Sequence, residues 1–184
     1  MDYARMRAVA EELAALPNAG KVEISDGTIV MMMSPSGTHE LAAWRLRRQL
    51  DRQVADDLAA HTGGDVEDPS LGILRRPDLI VIPIDVMDTP GAFHPQDLKL
   101  AAEVVSPSNH ANDYAQKTRD YPRMGIPLYL LVDPRKGSIA VMSDPGIGSD
   151  GQHCYRARHD YVFGDKVSVG PWTIDSSEFP RYHP

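Results

Sequence analysis

Apolar residues recur along the chain with two periods, and each predicts an element. Met6, Val9, Leu13 and Leu16 stand three or four positions apart, with Arg5, Arg7, Glu11 and Glu12 mostly elsewhere, which predicts an amphipathic helix over residues 2–16. Pro17-Asn18-Ala19-Gly20 stops it. Two β-rich runs, Val22–Ser25 and Thr28–Met33, flank Asp26-Gly27 and read as a hairpin. After Ser34-Pro35-Ser36-Gly37, the ladder Leu46, Leu50, Val54, Leu58, with Trp44 before it, predicts the longest helix over 38–60, N-capped by Thr38.

A Gly/Asp/Pro-rich stretch over 61–70 precedes two short strands, 71–74 and 78–82, separated by Arg75-Arg76-Pro77. Residues 83–96 carry three prolines and little periodicity, which predicts a surface excursion of the kind that often borders a site. Leu98–Val105 reads as a strand, Ser106-Pro107-Ser108 as a turn, 111–124 as a helix with Pro122 in its last turn, and Leu128–Val132 as a buried strand. Short strands at 138–142, 153–157, 166–169 and 172–174 predict an antiparallel meander. With no fixed-period repeat and no long linker, the 184 residues read as one α+β or mixed α/β domain, 1–184.

Charge narrows the function classes. With 19 Lys+Arg against 26 Asp+Glu the net charge is -7, so bulk electrostatic coating of nucleic acid is excluded and any such contact is local. No run approaches a membrane span, and Met1-Asp2-Tyr3-Ala4-Arg5 lacks the order of a signal peptide, so the expected location is the cytoplasm. Cys154, the single cysteine, excludes an intrachain disulfide or a CxxC pair. The histidines form no HExxH or other short ligand pair, which argues against a zinc enzyme, and GxxxxGK[ST] and GxGxxG are absent.

The exceptions inside apolar runs carry the chemistry. Asp78 follows Pro77 at the start of one strand, and Glu103 lies within Leu100-Ala101-Ala102-Glu103-Val104-Val105. Adjacent strands lie about 5 Å apart, so two carboxylates on one face in matching register can grip one divalent cation. Alone they would repel, and burial without a partner would be costly. The bland alternatives are loop-amide bonding for Asp78 and a salt bridge to an arginine such as Arg76 for Glu103.

Pro77-Asp78 followed by Glu103 resembles the PD-(D/E)XK nuclease superfamily. More narrowly, the chain resembles the Uma family of restriction-endonuclease-like proteins over most of its length. The resemblance runs through the Asp26-Gly27 hairpin, Met33-Ser34-Pro35 followed by His39, Arg76-Pro77-Asp78-Leu79 and Glu103-Val104-Val105-Ser106-Pro107-Ser108. It continues through Asp113, Lys117 and Tyr121 to Gly125-Ile126-Pro127-Leu128-Tyr129 and Val132-Asp133-Pro134. It implies an αβββαβ restriction endonuclease-like core with a C-terminal antiparallel extension. It also implies Mg²⁺, with Mn²⁺ as a substitute, held by Asp78, Glu103 and the carbonyl of Val104, a DNA substrate and a homodimer.

The superfamily lysine usually stands two positions after the second acid, where this chain has Val105. The resemblance places it instead at Lys117, and helical spacing puts Asp113, Lys117 and Tyr121 on one face. The bland reading of Lys117 is an exposed i,i+4 pair with Asp113; Tyr121 reads as packing. Glu23 is either a further acid of the site or a cross-strand partner, and His39 either a site residue or a solvated helix end. Arg45, Arg47, Arg48 and Arg52 offer phosphate contacts or simply a solvated face.

The leading expectation is therefore a metal-dependent DNA endonuclease using Asp78, Glu103 and Lys117. A nuclease-fold binding or assembly module that does not cut is the alternative, favoured by the charge and by Val105. A hydrolase of small phosphorylated molecules is a third, and would need a closed pocket.

Overall fold

The apolar runs at 100–104 and 128–133 become neighbouring strands at the heart of a sheet. The structure, a computed structural model, describes residues 2–17, 19–32, 36–107 and 112–182. In chain order it runs α1 (Tyr3–Ala14), β1 (Val22–Ser25), β2 (Thr28–Met31), α2 (Gly37–Leu50), β3 (Leu58–His61), β4 (Val66–Asp68), β5 (Ile73–Arg75) and β6 (Leu79–Pro83). β7 (Leu100–Val104), α3 (Lys117–Arg123), β8 (Leu128–Asp133), β9 (Ser138–Ile147), β10 (His153–Val162), β11 (Lys166–Val169) and β12 (Trp172–Asp175) follow.

Among the described residues the main sheet has the order β10-β9-β8-β7-β6-β3, with β7 and β8 parallel and the other neighbours antiparallel. A smaller antiparallel sheet, β2-β1-β5-β4, and the β11-β12 hairpin complete it. This is a mixed α/β architecture.

Alternate residues of β6 serve opposite faces of the main sheet, which is why the run is continuously apolar. Leu79 and Val81 pack with Ala42, Leu46 and Leu50 of α2, while Ile80 and Ile82 pack with Tyr121 and Met124 at α3. α1 buries Met6 and Ala10 against Val22, Ile24 and Leu74 of the smaller sheet.

Several boundaries differ from expectation. The helix predicted over 38–60 ends at Leu50, and its N-cap is Ser36, whose hydroxyl accepts from the backbone N–H of His39. Leu58–His61 is instead an edge strand paired with Ile80–Pro83. Leu46 and Leu50 lie in the same apolar cluster that Val54 and Leu58 pack against, so the four-residue ladder is satisfied across a change of element. β4 lies inside the stretch read as loop, and β9 and β10 are longer than their cores suggested. The excursion at 83–96 holds short 3₁₀ turns at Ile84–Asp88 and Pro95–Asp97.

The helix expected over 111–124 opens as a π turn, Asn112–Gln116, before α3. In that widened turn the carbonyl of Asp113 accepts from Thr118 Oγ1 at 3.3 Å and Tyr129 Oη at 3.0 Å. Met33-Ser34-Pro35, Ser108, His110 and Ala111 lie outside the described residues.

Candidate active site

The register of β6 and β7 brings the two strand acids together. Leu79, the first residue of β6, pairs with Ala102, which brings Asp78, the residue just before β6, next to the Glu103–Val104 end of β7. The backbone N–H of Val104 donates to Asp78 Oδ2 at 2.7 Å, tying Asp78 to β7. Asp78 also pairs with the ammonium of Lys21 and with His39 Nε2, the latter at 3.1 Å. Lys21 in turn donates to the carbonyl of Arg76 at 3.0 Å.

Glu103 is held from the helix side. Its Oε1 lies 2.8 Å from Lys117 Nζ and accepts from Tyr121 Oη. Lys117 is only 2% exposed and also meets Asp113 Oδ1 at 3.0 Å and Glu23 Oε1 at 3.6 Å. The pair with Asp113 is thus an i,i+4 pair, but a buried one, and Glu103 pairs with Lys117 where Arg76 was the expected alternative. Arg76 goes to Asp65 at 2.7 Å. Tyr121 packs edge-on against Tyr129, with ring centroids 4.9 Å apart, and reaches Glu103 with its hydroxyl.

Behind these groups lies a second buried layer. Arg75 meets Glu23 Oε2 at 2.7 Å, Asn112 Oδ1 at 3.1 Å and Asp120, whose carboxylate also accepts from Ser25 Oγ at 2.6 Å. Glu23 further accepts from the Arg76 N–H and from Asn112 Nδ2, each at 3.1 Å. It joins the Arg75 layer to Lys117, and is not merely a hairpin partner.

Each environment sets the charge state. Burial opposes ionisation of Asp78, but Lys21 and His39 outweigh it and hold the carboxyl well below the usual range. Burial pushes Glu103 up to about 7, with Asp78 and Asp113 adding to the rise and Lys117 opposing it. Burial alone would lower Lys117, yet Glu103, Glu23 and Asp113 raise it well above the ordinary lysine value. Burial would raise Glu23, but Lys117 and Arg75 bring it down to about 2.

The depressed Glu23 value has a stability consequence. Because its folded pKa lies below its unfolded one, Glu23 stabilises the fold above its ordinary value of 4.5, and this contribution is lost as pH falls through about 2. In urea titrations between those limits, Glu23→Gln is expected to flatten the acid-side fall in stability. An unchanged slope would remove Glu23 from the acid transition.

The donor chemistry fits a hard divalent cation. Asp78, which accepts from the Val104 N–H, and Glu103, the residue before Val104, are neighbouring buried carboxylates, and Mg²⁺ is characteristically held by one or two carboxylates with waters and substrate phosphates filling the rest. Among the described residues no group of three or more His, Cys, Asp or Glu side chains forms a ready cage. Beside Asp78 opens a cleft of about 270 Å³ lined by Lys21, His39, Trp44, Arg47 and Gly63.

Lys21, Arg75, Asn112 and Asp120 escaped the sequence reading. Lys21 stands next to β1, but its partners, Asp78 and the Arg76 carbonyl, are 57 and 55 positions away, so no local spacing marks it. Arg75 was read as a spacer between strands but is the fully buried last residue of β5.

The fold is that of the restriction endonuclease-like class. Residues 10–169 match the Uma2 family, described as "Putative restriction endonuclease", and the chain belongs to that family. Among solved structures it is similar to a protein from Anabaena variabilis ATCC 29413 described as "a putative nuclease belonging to DUF820". The TM-score is 0.68 at 13% identity, covering 92% of this chain and 96% of that one. No curated protein matches the sequence. No helix among the described residues is long and apolar enough to cross a membrane.

Proposed function

We propose that this chain is a divalent-metal-dependent DNA endonuclease that hydrolyses phosphodiester bonds at the Asp78–Glu103 pair. The observation that carries the reading is the buried approach of Lys117 to Glu103 at 2.8 Å, with Asp78 accepting from the N–H of Val104, the residue next to Glu103. Lys117, from the following helix, would take the part of the lysine that the superfamily pattern puts two positions after the second acid, where this chain has Val105.

Asp78, Glu103 and the Val104 carbonyl would hold the ion, Mg²⁺ or Mn²⁺. When bound, it supplies positive charge at the phosphoryl oxygen and makes the attacking water more acidic. Lys117 orients that water and balances charge developing on the phosphate. Asp113 and Glu23 hold the Lys117 ammonium in place and keep it protonated. Tyr121 fixes the Glu103 carboxylate, and Lys21 pairs with Asp78. His39 keeps Asp78 oriented from the cleft side. One site of this kind cuts one strand, and cutting a second strand would take a homodimer.

The test is cleavage of supercoiled plasmid and single-stranded circles with Mg²⁺ or Mn²⁺. Cleavage is expected from the wild type, and loss of it in EDTA, in Asp78→Ala and in Glu103→Ala. Equal cleavage by all proteins would expose a contaminant, and none on any substrate would replace this reading by a module that binds without cutting.

A further inference from the structure

The cleft beside Asp78 has features that the metal-binding pair does not require. Trp44, on α2, lines it and remains 51% exposed, an unusual state for the largest apolar side chain. The guanidinium of Arg48 lies 4.8 Å from the Trp44 ring centroid, one helical turn away. Arg47 lines the same cleft, its side chain 47% exposed and paired only loosely with Asp51 at 3.5 Å. Asp78, Lys21 and His39 line the same cleft, so the aromatic ring and the acid of the proposed chemistry share one space. Glu40 also lines it, and Arg47 and Lys21 are the cations that do.

We infer that this cleft receives an unpaired nucleotide of DNA, its base stacked on Trp44 and its phosphate held by Arg47, so that the substrate is single-stranded or frayed DNA and not intact duplex. This rests on the nuclease reading for the identity of the ligand as DNA. The physical grounds are local. Every base has a π face that an exposed indole can stack on, but in a duplex those faces are covered by neighbouring base pairs. The volume, about 270 Å³, lies just below the range of ligand clefts, which run from about 300 Å³, and suits one unit of a strand threaded past the site. A chain of net charge -7 needs a cation beside the bound phosphate, and Arg47 places one in the cleft.

The test measures binding in EDTA, where no cleavage occurs. Three fluorescent ligands of equal length are compared: a single strand, an abasic strand with the same phosphates, and a blunt duplex. The single strand is expected to bind tightest, and Trp44→Ala to weaken it about 5- to 150-fold, the span of one lost base stack. Trp44→Phe restores most of the affinity. The chain has two tryptophans and Trp172 is 5% exposed, so quenching of intrinsic fluorescence by the single strand reads Trp44 without any variant. Equal affinity for the abasic strand, duplex preference, or an unchanged Trp44→Ala would overturn the inference while metal-dependent cleavage stood. Trp44-dependent binding without cleavage would sustain it while the catalytic reading fell.

Discussion

Replacing Lys117 by methionine is expected to lower metal-dependent DNA cleavage by about 100- to 1,000-fold, the range for removing one charge-stabilising group from a reacting centre. Methionine keeps most of the stem's volume and removes only the ammonium. Lys117 meets Glu103, Asp113 and Glu23, so its loss also leaves buried carboxylates facing one another. Stability should therefore fall by about 3–5 kcal/mol, and cleavage is best measured well below the melting temperature. The informative split is between binding and turnover. Lys117→Met should retain Mn²⁺ binding while cutting fails, because Asp78 and Glu103 remain. Cleavage within a few-fold of wild type would leave Lys117 a purely structural residue.

The second large effect belongs to a residue outside the chemistry. Arg75 is fully buried and ties Glu23 of β1, Asp120 of α3 and Asn112 of the π turn into one layer. Arg75→Met is expected to cost about 3–5 kcal/mol in urea or thermal unfolding, because Glu23 and Asp120 would each lose a cation in the interior. That is a large share of the roughly 5–15 kcal/mol by which domains are stable. Glu23→Gln in the Arg75→Met background should recover part of the loss by removing one uncompensated charge. A change below about 1 kcal/mol would mean that Ser25 and Asn112, with Arg119 and Arg123 beside Asp120, satisfy the layer unaided.

How far the sequence disclosed this molecule follows from the range of each signal. The central strands were legible because a run such as Leu128–Val132 has no other way to be buried. The end of α2 was not, since Val54 and Leu58 continue the period of Leu46 and Leu50 while the backbone has already turned into β3. Asp78 and Glu103 stood out as charges in apolar runs, and the i,i+4 step from Asp113 to Lys117 is a local pattern. Lys21 and Arg75 were hidden because their partners are distant in the chain: Lys21 meets Asp78 and Arg75 meets Glu23 only once β1, β5 and β6 have come together. No spacing rule encodes such long-range pairs.

Calorimetric titration of Mn²⁺ into the wild-type chain, Asp78→Asn and Glu103→Gln tests most directly whether these two carboxylates share a cation. One ion per wild-type chain is expected, with binding lost in each variant, since either carboxylate alone forfeits half the protein's charged donors. Undiminished binding in both variants, or none in the wild type, would contradict a metal centre at Asp78 and Glu103.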